Sequence, residues 1–173
     1  MPDVPDLNPA QRQFIERVGL YFEQYHLSRI GGRLLGLLLL TAEPLGLEEM
    51  ATALGVSRAS VSTNSRHLVD YGLAEHVSLP GDRRDYYRLG DNAWERALNT
   101  EIEGTRALRR LAGEGLAATP DDAAARAQLE DLCGWCDFWI EGLFGMLARW
   151  QERQRAMSDE RAMTGVTSDD WAG

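Results

Sequence analysis

Two groups of side chains in this sequence have the types and spacing to hydrogen-bond a nucleic acid. The first lies in Ser57-Arg58-Ala59-Ser60-Val61-Ser62-Thr63-Asn64-Ser65-Arg66-His67. Projected at about 100° per residue, Val61, Ser65, Leu68 and Val69 gather on one side of a helix. The other side carries Ala59, Ser60, Thr63, Arg66 and His67, with Arg58, Ser62 and Asn64 on its flanks. A solvated helix ordinarily turns long charged side chains outward. Hydroxyls, an amide and guanidinium groups around an alanine instead permit close approach to another polar surface. The second group is Arg83-Arg84 within Leu79-Pro80-Gly81-Asp82-Arg83-Arg84-Asp85, a stretch rich in turn residues. Guanidinium groups at an exposed tip can reach phosphates or a neighbouring minor groove.

The elements that must position these groups are legible on either side. Leu47, Met50, Ala51 and Leu54 recur at helical steps, which predicts a first helix over Leu47 to Leu54 ended by Gly55. Val56 plugs the turn. Ser57 is suited to N-cap a second helix running to about Tyr71, with Gly72 as its C′ residue. Two helices with a turn of three to four residues are what a helix-turn-helix needs to place its second helix in a major groove. Ala74 to Ser78 and Tyr86 to Leu89, carrying the β-favouring Val77, Tyr86 and Tyr87, predict a two-stranded hairpin, or wing, with the arginines at its tip.

These residues resemble the winged helix of the MarR-type transcription regulators, most closely their GbsR-like branch. The resemblance rests on Arg29-Ile30-Gly31-Gly32-Arg33-Leu34-Leu35-Gly36, on Ser57 to Asn64 and on Pro80-Gly81-Asp82-Arg83-Arg84-Asp85-Tyr86-Tyr87. It implies a homodimer, sequence-specific DNA binding through Ser57 to Arg66, and a wing pair in which Asp82 orients Arg84. Some members of that family respond to choline-like osmolyte precursors.

The chain of 173 residues is long enough for one small domain plus an oligomerisation arm, and its 44% hydrophobic and 26% charged residues are ordinary for a globular protein. The formal charge of −9 argues at first against a nucleic-acid partner. Between Ser57 and Arg88, however, five arginines stand against four acids, so the acidity lies elsewhere. All 18 basic residues are arginine, which reads as a compositional bias. The longest apolar run, Leu34 to Leu40, is far too short to span a bilayer, and no basic-then-apolar leader opens the chain, so a cytoplasmic protein is expected.

In chain order, residues 1–8 are expected to form a flexible arm and Asn8-Pro9 to open a helix reaching about Tyr25. Its stripe of Phe14, Val18, Tyr21, Phe22 and Tyr25 reads as core or dimer interface. Residues 9–27 form the N-terminal dimerisation helix and residues 28–90 the winged domain, which begins with a buried helix over Ser28 to Leu40. Gly31, Gly32 and Gly36 weaken that helix and imply close packing. Arg29 and Arg33 read as solvated, with phosphate contact as the alternative. Residues 91–157 form a C-terminal helical dimerisation region: one helix from Asp91 to about Gly115, and one from Pro120, N-capped by Thr119, to about Met157. At 1.5 Å per residue the last helix would measure about 55 Å, which implies a second copy as its partner. The polar residues 158–173, with Trp171 isolated, are expected to be disordered.

Other residues carry patterns that could suggest further chemistry. Gly113-Glu114-Gly115-Leu116-Ala117-Ala118 matches a nucleotide-binding pattern in letters but follows a helix, so it is rejected. Cys133-Gly134-Trp135-Cys136 lies inside a helix and lacks the context of a thioredoxin motif. Cys133 and Cys136 read as two buried small hydrophobes, with a redox-sensing thiol pair as the alternative. Trp135, Phe138, Trp139 and Phe144 could form an aromatic cage for a quaternary ammonium effector, and read more simply as interface core. His26, His67 and His76 have no metal spacing, and Glu48/Glu49 and Asp121/Asp122 read as helix-start charges. No metal, cofactor or enzymatic activity is expected.

The reading is therefore a mainly α, dimeric winged helix-turn-helix regulator, most simply a repressor, that binds a double-stranded, pseudo-palindromic operator and answers to a small-molecule effector. Its DNA-binding residues are Ser57, Arg58, Ser60, Ser62, Thr63, Asn64, Arg66, His67, Arg83 and Arg84. A winged-helix protein-interaction module without specific DNA binding is the alternative favoured by the charge. A thiol-based sensor or oxidoreductase built on Cys133 and Cys136 is the third.

Overall fold

The computed structural model describes residues 4–24 and 27–164. In order these form α1 (Pro9–Gln24), α2 (Arg29–Leu39), β1 (Leu45–Gly46), α3 (Leu47–Leu54), α4 (Arg58–Asp70), β2 (Ala74–Val77), β3 (Tyr86–Leu89), α5 (Ala93–Ala118) and α6 (Ala123–Thr164). Helices predominate, as expected. The chain divides into two compact units, with the break between Ala97 and Leu98 inside α5.

In the first unit α1 opens on a reciprocal cap. The Asn8 side-chain oxygen accepts from the Gln11 amide at 2.9 Å, and the Gln11 side-chain oxygen accepts from the Asn8 amide at 2.9 Å. The expected flexible arm is anchored just before it: Leu7 is buried in the core, and its carbonyl accepts from Arg12 Nε at 3.1 Å. Residues 1–3 of that arm, and Tyr25 and His26 at the end of the first helix, lie outside the described residues. The aromatic stripe of α1 splits. Ile15, Val18, Gly19 and Phe22 turn to α2, whereas Phe14 and Tyr21 are exposed.

Ser28 N-caps α2, its hydroxyl accepting from the Gly31 amide at 3.2 Å. The glycines earn their place by approach, as expected: a Cβ on Gly32 would lie 2.8 Å from both the Phe22 Cβ and the Val18 carbonyl oxygen. Packing this close offsets the roughly 1 kcal/mol that each helical glycine costs. Leu34, Leu35, Leu37 and Leu38 then meet Leu47, Met50, Leu54, Val61 and Leu68 of α3 and α4 in one core.

The sheet has one strand more than the sequence suggested. β3 pairs with β2 in the expected hairpin, Ala74 opposite Leu89 and Val77 opposite Tyr86, and also with β1, Leu45 opposite Tyr87 and Gly46 opposite Tyr86. The order is β1-β3-β2. Two residues are too few to show the alternation that marks a strand.

The second unit is an antiparallel helical hairpin. Ile102 packs with Leu143 and Leu147, and Arg109 pairs with Asp137 at 3.0 Å. Its boundaries differ from those expected. α5 runs on to Ala118, which takes the glycine pattern at 113–118 into a helix. Thr119 does not cap α6, because its hydroxyl donates to the Gly115 carbonyl at 2.8 Å; Asp122 does so instead, accepting from the Ala125 amide at 3.0 Å. α6 also continues through Thr164, so residues 158–164 are helical where disorder was expected. Glu160, Ala162 and Met163 are good helix formers and extend it while exposed. Residues 165–173, Trp171 among them, lie outside the described residues. Among the described residues no helix is long and apolar enough to cross a membrane.

Candidate nucleic-acid interface

The turn into α4 is built as the residue types require. Gly55 ends α3 at φ 63°, a left-handed conformation that glycine adopts without strain. Ser57 then N-caps α4: its hydroxyl accepts from the Ser60 amide at 3.2 Å and bonds the Ser60 hydroxyl at 2.9 Å. Val61, Ser65 and Leu68 are buried. Arg58, Ala59, Thr63, Arg66 and His67 face outward, with Ser60 and Ser62 half-buried beside them. Asn64 departs from expectation. It is 9% exposed and donates from Nδ2 to the Ser60 carbonyl at 2.8 Å, so it has left the outer face to brace the helix.

The arginines around this face are not equivalent. Arg58 pairs with Glu48 at 3.1 Å. Arg88 bridges Glu75 at 3.0 Å and Asp91 at 2.7 Å, and hydrogen bonding to Asp91, then to Glu75, raises its pKa. Arg29 pairs with Glu16 at 3.2 Å. Arg33, expected to be solvated, is a tie instead: Nε meets Glu16 at 2.7 Å, and NH2 donates to the Leu54 carbonyl at the end of α3 at 2.7 Å. Arg66 donates from Nε to the Ser62 carbonyl at 3.2 Å on its own helix. Arg83 is exposed. Among the described residues neither Arg66 nor Arg83 has an acid partner.

Arg84, expected beside Arg83 at an open tip, folds back. Its Nε and NH2 donate to Asp82 at 2.9 and 2.7 Å, and NH1 donates to Glu49 at 3.1 Å. NH2 also meets the Tyr86 hydroxyl, the guanidinium carbon lies 5.1 Å from the centre of the Tyr86 ring, and that hydroxyl donates to Asp82 at 2.7 Å. The Asp82/Arg84 pair implied by the family likeness is thus present in the geometry. The Arg84 hydrogen bonds hold the Asp82 carboxyl well below the usual carboxylate range. Asp82 in turn raises the pKa of Arg84, and burial, then Asp82, pushes Tyr86 up. From sequence Glu49 reads as a helix-start charge and Tyr86 as a strand residue, neither with a role at the site. The signal available was the period-two spacing of residues 82, 84 and 86, which puts them on one side of an extended chain.

The remaining candidates lie on α6. Cys133 and Cys136 are free and buried, the environment of an inert thiol. The four aromatics do not converge into a cage. Trp135 and Trp139 stack on each other with ring centres 5.8 Å apart at 14°, and Phe138 lies 6.1 Å from Trp135. Phe144, nine residues beyond Trp135, is on roughly the opposite side of a helix with 3.6 residues per turn, and the Arg106 guanidinium covers it at 5.1 Å. Among the described residues no group of three His, Cys, Asp or Glu could hold a metal ion.

Comparison with known proteins accounts for this arrangement. The chain is 37% identical over 142 residues to the HTH-type transcriptional regulator MmpR5 of Mycobacterium tuberculosis (strain ATCC 25618 / H37Rv), covering 79% of this chain and 86% of that protein. It is 30% identical over 86 residues to the HTH-type transcriptional repressor OpcR of Bacillus subtilis (strain 168), half of this chain and 46% of that one. The crystal structure of a transcriptional regulator superposes with a TM-score of 0.78 at 35% identity, covering 83% of this chain and 99% of the other. The family model for MmpR5-like MarR family transcriptional regulators matches residues 92–153. These matches establish the wider family without singling out a GbsR-like branch. By the long match to a regulator of this type and by the three-stranded winged helix, the chain belongs to the MarR family of DNA-binding transcriptional regulators, which are not enzymes.

Proposed function

We propose that the protein is a homodimeric repressor of a pseudo-palindromic operator, with α4 in the major groove and the wing tip over the adjacent backbone or minor groove. The observation that carries this reading is the contrast between the two sides of α4: Val61, Asn64, Ser65 and Leu68 are locked inward, while Ala59, Thr63, Arg66 and His67 offer short polar groups and one acid-free guanidinium outward. Arg66 reads a base edge or phosphate, and Arg83 supplies the wing cation. Ser57 and Ser60 serve mainly to start the helix. Arg58 is available once Glu48 releases it. The name of the Bacillus subtilis relative supports repression, and the exposed apolar side of α5 and α6 supports a second copy as partner. Control by a small-molecule effector is carried over from the family likeness.

The test is fluorescence anisotropy on DNA from the gene's own upstream region and on a scrambled duplex, at two salt concentrations. Binding to the native duplex at least about 10³-fold tighter, weakening steeply as salt rises, is the expected result. Absence of binding to either duplex at low salt would move the weight to the interaction module that the −9 charge favours.

A further inference from the structure

The wing outruns its sheet. The β2–β3 ladder ends at Val77 opposite Tyr86, and the β1–β3 ladder ends at Gly46 opposite that same Tyr86. Past this point the tip is held by its own turn, where Asp82 N–H donates to the Leu79 carbonyl at 3.1 Å, and by side chains. His76 bonds Asp85 at 2.8 Å, but both belong to the hairpin. Among the described residues, Arg84 ties the tip to another element by pairing with Glu49, on the first turn of α3.

Glu49 is an unusual acid for a helix start. It is 6% exposed, whereas its neighbour Glu48 reaches solvent and pairs with Arg58. Ionised carboxylates are seldom buried unless paired. Room for it comes from Gly46. The backbone there, at φ −78°, would suit any residue, but a Cβ would overlap Glu49 Oε2. A glycine chosen for space, a buried acid and an arginine whose Nε, NH1 and NH2 are all engaged within the protein form one assembly. Arg84 therefore serves the wing more than it serves a phosphate.

We infer that Glu49 is a positioning residue for DNA binding: through Arg84 it docks the wing tip on α3 and so sets where Arg83 stands relative to the reading side of α4. Holding the tip before contact removes an ordering cost that would otherwise fall on complex formation. The functional half of this inference rests on the DNA-binding reading above; the docking does not.

Two measurements test it. The first is amide hydrogen exchange of residues 82–85 in the DNA-free protein, in wild type, Glu49→Gln and Glu48→Gln. Exchange is expected to quicken in Glu49→Gln and to stay at the wild-type rate in Glu48→Gln. The second is a double-mutant cycle on the operator. Arg83→Ala should weaken wild-type binding about 10-fold and lower the salt slope by about one, but should cost little in the Glu49→Gln background, because an undocked tip no longer delivers that arginine. Arg66→Ala should cost the same factor in both backgrounds. Unchanged exchange in Glu49→Gln, or an equal Arg83→Ala penalty in both backgrounds, would overturn the inference. Should Glu49→Gln fail to fold by circular dichroism, Arg84→Gln, which removes the tip's side of the same ion pair, takes its place in both arms. Absence of operator binding by the wild type would sink the proposed function, while the exchange arm would still judge the docking.

Discussion

The winged unit and the α5–α6 hairpin are both built mainly of helix and end in opposite states. In the first, α2, α3, α4 and the sheet bury Leu34, Leu37, Met50, Val61 and Leu68 almost completely within one chain. In the second, Ile102, Leu143 and Leu147 make a narrow seam, while Leu111, Trp135 and Phe138 each expose more than half of their surface. Two helices can bury only the stripe along which they meet, and the rest of an apolar circumference must find another partner. The first unit closes a core within the chain, whereas the second leaves Leu111, Trp135 and Phe138 uncovered, the surface on which the proposed dimer would form.

Breaking the uncovered surface of the second unit is expected to have the largest effect. Phe138→Glu with Trp139→Glu should convert a dimer to monomers in analytical ultracentrifugation and, by removing bivalent engagement, lower operator affinity by about 10²–10⁴-fold. The winged unit should keep its fold. A double variant that stays dimeric would show that another surface joins the copies. Breaking the closed core should do the reverse: Leu37→Ala should cost about 2–5 kcal/mol in denaturant unfolding without changing the subunit count at concentrations where the protein remains folded.

Smaller changes sharpen the comparison within the winged unit. Arg66→Ala should cost about 1–3 kcal/mol of operator affinity and leave thermal stability near wild type. Ser57→Ala should cost about 1 kcal/mol of stability, because it removes the N-cap of α4, and should weaken DNA binding only through that loss. Acidity should act late. Since the Asp82 carboxyl is held low in the folded protein, its stabilising contribution is fully present above its unfolded pKa of about 3.9 and is lost as pH falls through the lowered folded value. The Asp82 contribution to wing protection should accordingly stay constant between about pH 5 and pH 8, as exchange corrected for the intrinsic rate would read it. Peroxide should have the least effect: with Cys133 and Cys136 buried, operator affinity after treatment should match the untreated protein, and a shift abolished by Cys133→Ser with Cys136→Ser would restore the thiol-sensor alternative.

Much of the fold was legible because it rests on local signals. The Ser57 cap, the Gly72 stop with φ 77° and the period of Leu47, Met50, Ala51 and Leu54 each follow from a few neighbouring residues, and the folded chain has them in place. What was misread had no local signal. Asn64 and Thr63 are both short and polar at adjacent positions, and which of them faces out depends on α2 lying against that side of α4. Arg83 and Arg84 are the same residue type side by side in an exposed turn. Their separation into an exposed cation and an internal clasp needs Glu49, 35 positions away in sequence from Arg84, to be present on α3.

Sequence by itself determined the kind of molecule: a helix-turn-helix with a short polar outer side, a basic-tipped hairpin, and two long helices carrying apolar stripes. Those properties are set by periodicity, capping and turn chemistry, which act over a few residues. The tertiary structure alone decided that Leu45-Gly46 completes the sheet, that Glu49 is buried, and that Arg84 is consumed within the protein while Arg66 and Arg83 keep no acid partner among the described residues. The first depends on a distant strand being there to pair with, and the others on which charges the folded chain brings within about 4 Å of one another; the energy of an ion pair is set by that distance and by burial, neither of which is written in neighbouring letters.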